Sequence, residues 1–266
     1  LLESFERFVP EHLPYALRAE AMLEQMTLGL CVSHELREML IDHGVNEDKL
    51  HVHHLGIDLD RFTPAPRAAE PFEAFMVARF VPKKGLAYGI RAFAQASRVC
   101  AVPMRLSLIG DGPMQERLES LVAQLGVADS VEFLGALDQS QVAERLARAH
   151  VLMAPSVVDA NGAREGCLTV VKEASASGCV PIGTYHGGTP EMIDHGETGM
   201  LVPERNTEEL SAALVRLAIE PELRNTMARN GRQKMHDDFE LSHQVDELEG
   251  RYDEAVDRYR SVGARE

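Results

Sequence analysis

Along most of this chain, short apolar runs alternate with stretches in which apolar residues recur every three or four positions. Phe75–Ala78, Leu106–Ile109, Val131–Leu134, Val151–Ala154, Cys179–Gly183 and Met200–Val202 read as strands. Between them the periodicity turns helical. Leu86, Ile90, Phe93 and Ala94 share a face over Leu86–Ala96, and Leu118, Leu121, Val122 and Leu125 share one in a helix that ends at Gly126. Asp138 caps a helix through Val142, Leu146 and Ala149, and Asn206, with Glu209 three residues on, caps another. A further helix starts near Gly166 and Cys167, carries Leu168, Val171 and Ala174, and closes at Gly178 in a left-handed turn. The last helix bears Val245, Leu248, Tyr252, Ala255 and Tyr259, with spacing that predicts one apolar face. Before the regular part come a helix over Pro10–Met26, a strand over Thr27–Val32, a helix capped by Ser33, a strand over Leu50–His54, and a proline-marked linker at Pro64 and Pro66.

Strands alternating with helices predict an α/β fold, a Rossmann-like parallel sheet of about six strands with helices on both faces. Ligands of such sheets bind outside the carboxyl ends of the strands. Arg79, Gly110, Gly135, Ser156 and Glu165 all sit at or just past such ends.

Charge narrows the partners. The 266 residues carry 42 Asp and Glu against 27 Lys and Arg, a formal charge of −15. That argues against nucleic acid as the main partner, since phosphate backbones reward Lys and Arg. The few basic residues at the sheet edge therefore become informative. Cys31, Cys100, Cys167 and Cys179 show neither zinc spacing nor a disulfide framework, which suits a reducing cytoplasm. No apolar run approaches the ~20 residues that span a bilayer.

The densest chemistry lies between Glu165 and Glu173, with a helix start between them. Unpaired N–H groups there attract an anion, and the two carboxylates suit hydroxyls at either end of a ligand. By itself each Glu reads as readily as a loop-edge or solvent-facing residue. Arg79 and Lys84 bracket a second loop and can reach an anion at the sheet edge, though a solvated basic loop is the plainer reading. Lys83, beside Lys84, is expected to face water. Gly110-Asp111-Gly112-Pro113 is a poor dinucleotide fingerprint and reads as a tight turn with Pro at the first helical position. His51 and His53 share one strand side without a third ligand. His186 either lines the site or is a polar turn residue, and Cys167 is read as packing.

Taken in order, these stretches resemble the retaining glycosyltransferases of family 4, which have the two-domain GT-B fold. Gly56-Ile57-Asp58 through Phe62 and Pro64 resembles the interdomain motif N-G-V-D-x-x-x-F-x-P. Ala78-Arg79 to Lys84-Gly85 resembles the phosphate loop G-R-x-x-x-x-K-G, and Gly110 to Pro113 the G-x-G-P turn. Glu165 to Glu173 is similar to the E-x7-E motif, continued by Gly187 to Glu191 and Gly196 to Gly199. The resemblance implies a nucleotide-sugar as substrate, no cofactor and no metal. Arg79 and Lys84 would hold the diphosphate, Glu173 the ribose, and Glu165 the donor sugar. Gly166, Cys167 and Leu168 would offer N–H groups, and Phe133, Leu134 and Gly135 would hold the base, with Ser156 and Gly110 lining the site. A sugar would pass to the acceptor with retained anomeric configuration, without either Glu acting as general base. The stretch from Pro155 through Gly166 further resembles members that build exopolysaccharide or colanic-acid-type repeats on a membrane lipid, which implies work at the inner face of the membrane.

Thr169 after Leu168, and Ala78 in place of Gly, depart from the family pattern and leave the donor open. On the same resemblance, residues 1–55 are a remnant of the acceptor domain, 56–70 an interdomain segment, 71–236 the donor domain, and 237–266 a helix crossing back onto the remnant or a partner chain. The acceptor, a glycan or lipid-linked glycan, would bind a missing N-terminal domain. The chain is thus expected to be a piece of a longer protein, inactive alone, and its oligomeric state is open. A non-catalytic nucleotide-sugar binding module and a GT-B sugar-nucleotide epimerase remain as alternatives, with a nicotinamide oxidoreductase last.

Overall fold

The computed structural model describes residues 22–23 and 25–263, which form two compact units. The first combines the described residues up to Gly56 with the chain from Ser242 on; the second is Ile57–Leu241.

In the first unit, β1 (Gly29–Cys31) and β2 (Leu50–Val52) pair in parallel around α1 (His34–Asp42). Ser33 caps α1 by accepting the Leu36 N–H at 3.2 Å. The helix expected over Pro10–Met26 lies outside the described residues except for its last turn. The final helix, α9 in chain order (Leu241–Gly263), belongs to this unit from Ser242 on. Its predicted apolar face is split. Leu248 and Ala255 are partly buried, whereas Val245, Tyr252 and Tyr259 are exposed. The inward positions shift by one residue to include Arg251 and Arg258, and Arg258 donates to Asp48 O at 2.9 Å. The surface that receives α9 is polar there, so arginine donors turn inward and tyrosines outward.

The second unit is built in chain order as β3 (Phe72–Val77), α2 (Leu86–Val99), β4 (Met104–Ile109), α3 (Gln115–Leu125), β5 (Val131–Gly135), α4 (Gln139–Arg148), β6 (Val151–Ala154), α5 (Thr169–Ala176), β7 (Val180–Thr184), α6 (Thr189–Met192), β8 (Met200–Val202), α7 (Thr207–Ile219) and α8 (Pro221–Phe239). All six strands are parallel, in the order β5-β4-β3-β6-β7-β8. The period-2 alternation of strands sorts the core into two layers. Phe72, Ala74 and Met76 face α2 and α7 in one, and Phe75 faces α4, Phe62 and Phe239 in the other. Each fully buried Phe or Leu stabilises the fold by ~1.5–3 kcal/mol relative to exposure.

Helix α8 is absent from the sequence reading. Its buried residues are Met227, Gly231, Met235 and Phe239, a single stripe every fourth position in an otherwise polar run. That stripe is too narrow to stand out, and one member is a glycine. Gly231 lies at a close approach, where a Cβ would stand 3.1 Å from Thr198 O and crowd it. The segment before β3, expected as a linker, is bound to the sheet unit. Arg67 donates to Ala149 O at 2.6 Å and to Ser177 O at 2.7 Å, and Arg232 donates to Phe62 O at 2.8 Å and to Ala176 O. These guanidinium groups satisfy carbonyls left open at the C-terminal ends of α4 and α5.

Candidate functional site

The strand order reverses its growth between β3 and β6, which leaves a crevice beyond their carboxyl ends. Two loops meet there. The loop after β3 ends in a 3₁₀ turn, Pro82–Lys84, closed by Gly85 at φ 64°. A Cβ on Gly85 would lie 1.7 Å from Pro155 O, so only glycine allows this approach. The Val157 N–H donates to Lys83 O at 2.9 Å, which joins the loop after β6 to the first loop.

That packing brings three charges together. Lys84 Nζ stands 2.8 Å from Glu165 Oε2, and Lys83 Nζ stands 3.0 Å from Oε1 while donating to Arg164 O at 3.1 Å. Lys83 is thus not turned to water, contrary to the sequence expectation; the Gly85 turn aims both ammonium groups the same way. Burial alone would raise the Glu165 pKa, but the two ammonium groups outweigh it and hold the carboxyl below its ordinary value. Arg79 is exposed on the same loop, with no ion pair among the described residues.

The neighbouring strand ends supply a wall. Gly110 and Gly112 need to be glycine because the loop after β3 lies against them: a Cβ would lie 2.0 Å from Ala78 O and 2.7 Å from Phe80 O, respectively. Pro113 does not open α3, which starts two residues later at Gln115. The Gly110 N–H donates to Gly135 O at 2.8 Å, and Phe80 meets Phe133 edge-on at 6.1 Å. Leu134 packs into the second core layer, and Ser156 is buried with its carbonyl accepting from Thr184 Oγ1.

Helix α5 starts at Thr169, with Leu168 as the residue before it, rather than at Gly166 or Cys167. The reason is tertiary: Gly166 O accepts the Gly188 N–H, which holds Gly166 in the loop. Glu173, on α5, is half-buried, with the Gln139 side chain from the start of α4 near its carboxyl. Burial pushes its carboxyl up, only partly offset by Gln139, Arg61 and Lys172. Lys172 is itself buried, its ammonium 5.4 Å from the centre of the Phe239 ring and hydrogen-bonded to the Cys167 sulfur. No local pattern in the sequence announces this, because Phe239 arrives from α8.

His186 is buried in the turn after β7. Its Nε2 accepts the Glu165 N–H at 3.0 Å, so the imidazole proton sits on Nδ1 and goes to Glu204 Oε1 at 2.7 Å. Glu204 has no counterpart in the sequence reading; it sits between the Gly196–Gly199 motif and the Asn206 cap, and only the fold brings it to His186. Among the described residues no group of three His, Cys, Asp or Glu is placed to hold a metal ion, and no helix is long and apolar enough to cross a membrane.

With this geometry in hand, the likeness to known proteins is specific. Over 240 residues the chain is 31% identical to the putative colanic acid biosynthesis glycosyltransferase WcaL of Escherichia coli, covering 89% of this chain and 57% of WcaL. It is 30% identical over 199 residues to the amylovoran biosynthesis glycosyltransferase AmsK of Erwinia amylovora, covering 74% of this chain and 49% of AmsK. The chain therefore spans between about half and three fifths of the length of these relatives. The crystal structure of HepE from Anabaena in complex with UDP matches the fold with a TM-score of 0.81 at 21% identity, over 93% of this chain and 70% of HepE. The parallel six-stranded sheet flanked by helices is that of GT-B glycosyltransferase structures. The family model for glycosyl transferases group 1 matches residues 61–234, the sheet unit almost from end to end, and the chain belongs to that family.

Proposed function

We propose that this chain binds a nucleotide-diphospho-sugar at the β3/β6 crevice and is the donor half of a retaining glycosyltransferase acting in polysaccharide or lipid-linked glycan synthesis. The observation that carries the reading is the cluster of Lys83, Lys84 and Glu165 at the switch point of the sheet. Each ammonium has three N–H donors, so it can hold Glu165 and a phosphate oxygen together. Lys83, Lys84 and the uncommitted Arg79 would carry the diphosphate and stabilise the charge that develops on the leaving nucleoside diphosphate. In this reading they do so without a metal. Glu173 would accept from ribose hydroxyls and Glu165 from the donor sugar. A carboxyl held below its ordinary pKa by two cations is a poor proton acceptor, which favours a binding role for Glu165 over general-base work. The names of WcaL and AmsK, and the UDP in the HepE structure, support a sugar donor and a glycan product.

Calorimetric titration with UDP, UDP-glucose and GDP-mannose tests the binding reading, and transfer of labelled sugar by the full-length protein tests the activity. Binding of at least one nucleotide-sugar at the crevice is expected. No binding of any of them would overturn the reading. Binding with no transfer would leave a non-catalytic module, and release of a free epimer would mark an epimerase.

A further inference from the structure

We propose that His186, seated by Glu204, is a positioning residue that sets Glu165 for the donor sugar. This rests on the nucleotide-sugar reading of the crevice. The Arg164–Glu165 peptide is gripped from two sides, with Lys83 donating to its carbonyl and the turn after β7 taking its N–H. His186 Nε2 accepts its N–H at 3.0 Å, and Gly188 N–H donates to Gly166 O at 3.1 Å. Gly187, at φ 56°, leaves room for Glu165 O where a Cβ would stand 2.1 Å away. A carboxylate aimed at one sugar hydroxyl needs this kind of support, because a small rotation of its peptide moves the oxygens out of hydrogen-bond range.

The imidazole is in turn fixed from the loop after β8. Glu204 Oε1 accepts its Nδ1–H at 2.7 Å, while Glu204 Oε2 accepts the Val158 N–H at 2.9 Å. Arg205 donates to Val158 O, and at φ 62° it is the one non-glycine residue with positive φ among those described. Strain of that kind persists only where the surroundings over-determine it. Glu204 and Arg205 therefore hold the loop of residues 158–165 at both ends, directly at Val158 and through His186 at Glu165. Residues 160–164 between these holds are exposed. The relay runs from the last strand of the sheet to the carboxylate that meets the sugar, while the two lysines hold that carboxylate from the other side.

The test compares the ratio of UDP to UDP-glucose dissociation constants, and of GDP to GDP-mannose, in wild type, His186→Ala, His186→Gln and Glu204→Gln. His186→Ala is expected to shift the ratio against the sugar nucleotide by about tenfold, the weight of one hydrogen bond, with the nucleotide diphosphate nearly unaffected. His186→Gln restores an acceptor near the Nε2 position and is expected to recover part of the ratio. Glu204→Gln, which turns an acceptor away from either Val158 N–H or His186, is expected to fall between. An unchanged ratio in His186→Ala, or equal losses for nucleotide and sugar nucleotide, would overturn the proposal. Hydrogen exchange of the Glu165 amide without ligand separates the two readings. If wild type binds no nucleotide-sugar, the function fails. Exchange that is faster in His186→Ala, and slow again in His186→Gln, would still support the relay, and exchange unchanged in both would overturn it.

Discussion

Lys84 Nζ and Glu165 Oε2 stand 2.8 Å apart although 81 positions separate them in the chain. The contact exists because β3 and β6, distant in sequence, are neighbours in the sheet. Removing Lys84 should therefore act on both the phosphate and the carboxylate. Lys84→Ala is expected to weaken UDP by about tenfold, the worth of one charge-assisted contact, and uridine far less. Arg79→Ala should do the same without disturbing Glu165. Calorimetry on both ligands checks this, and equal losses for UDP and uridine would remove the phosphate role.

The two glutamates should part company in their pH response. Glu165 is held below its ordinary value of 4.5, so the stability it contributes is whole above that value and is lost only as pH falls through the lower, folded value. Glu173 is pushed above 4.5 by burial, so its ionised form is disfavoured in the fold and its term favours folding as pH falls through that raised value. Its hold on ribose needs the ionised form. Nucleotide affinity is expected to decline on acidification while pH is still above 4.5, and Glu173→Gln should flatten that decline. A profile unchanged by Glu173→Gln would mean that the carboxylate does not touch the nucleotide.

Gly85 separates shape from charge. Its φ of 64° and the 1.7 Å approach to Pro155 O mean that Gly85→Ala must open the seam between the two loops. A loss of about 1–3 kcal/mol is expected from the backbone conformation alone, read by denaturant unfolding. Gly250→Ala is the contrast: it sits inside α9 with nothing within 4 Å of the added Cβ. Helix propensity predicts a gain of roughly 0.5–1 kcal/mol there.

Arg232 tests whether the segment before β3 belongs to the sheet unit. Its guanidinium bonds Phe62 O and Ala176 O, and Arg232→Ala leaves both carbonyls without that donor. A loss of about 2 kcal/mol is expected, with nucleotide affinity intact. A change below a few tenths of a kcal/mol would show that solvent replaces the arginine.

What the chain declares by itself follows from short-range physics. The apolar runs of the strands, the Asp138 and Asn206 caps and the Gly178 turn depend on neighbours within a few positions; the structure repeats the caps and the turn, and it keeps the strands while starting the first of the sheet three residues earlier, at Phe72. The glycines of the strand-end turns were legible for the same reason, whereas Glu165 and Glu173 stood out only through the family resemblance, because each by itself reads as readily as a loop-edge or solvent-facing residue. What only tertiary structure decided are the meetings between distant loops. Lys83 turns to Glu165 because Gly85 lies on Pro155, and α5 starts late because Gly188 holds Gly166. Lys172 is buried because α8 delivers Phe239, and Glu204 reaches Glu165 through His186. Helix α8 itself stayed hidden, since a one-residue-wide stripe acquires meaning only against the surface that it covers. Local periodicity specifies elements. Which side chains face one another across the sheet edge is set by strand order, and strand order is a property of the whole core.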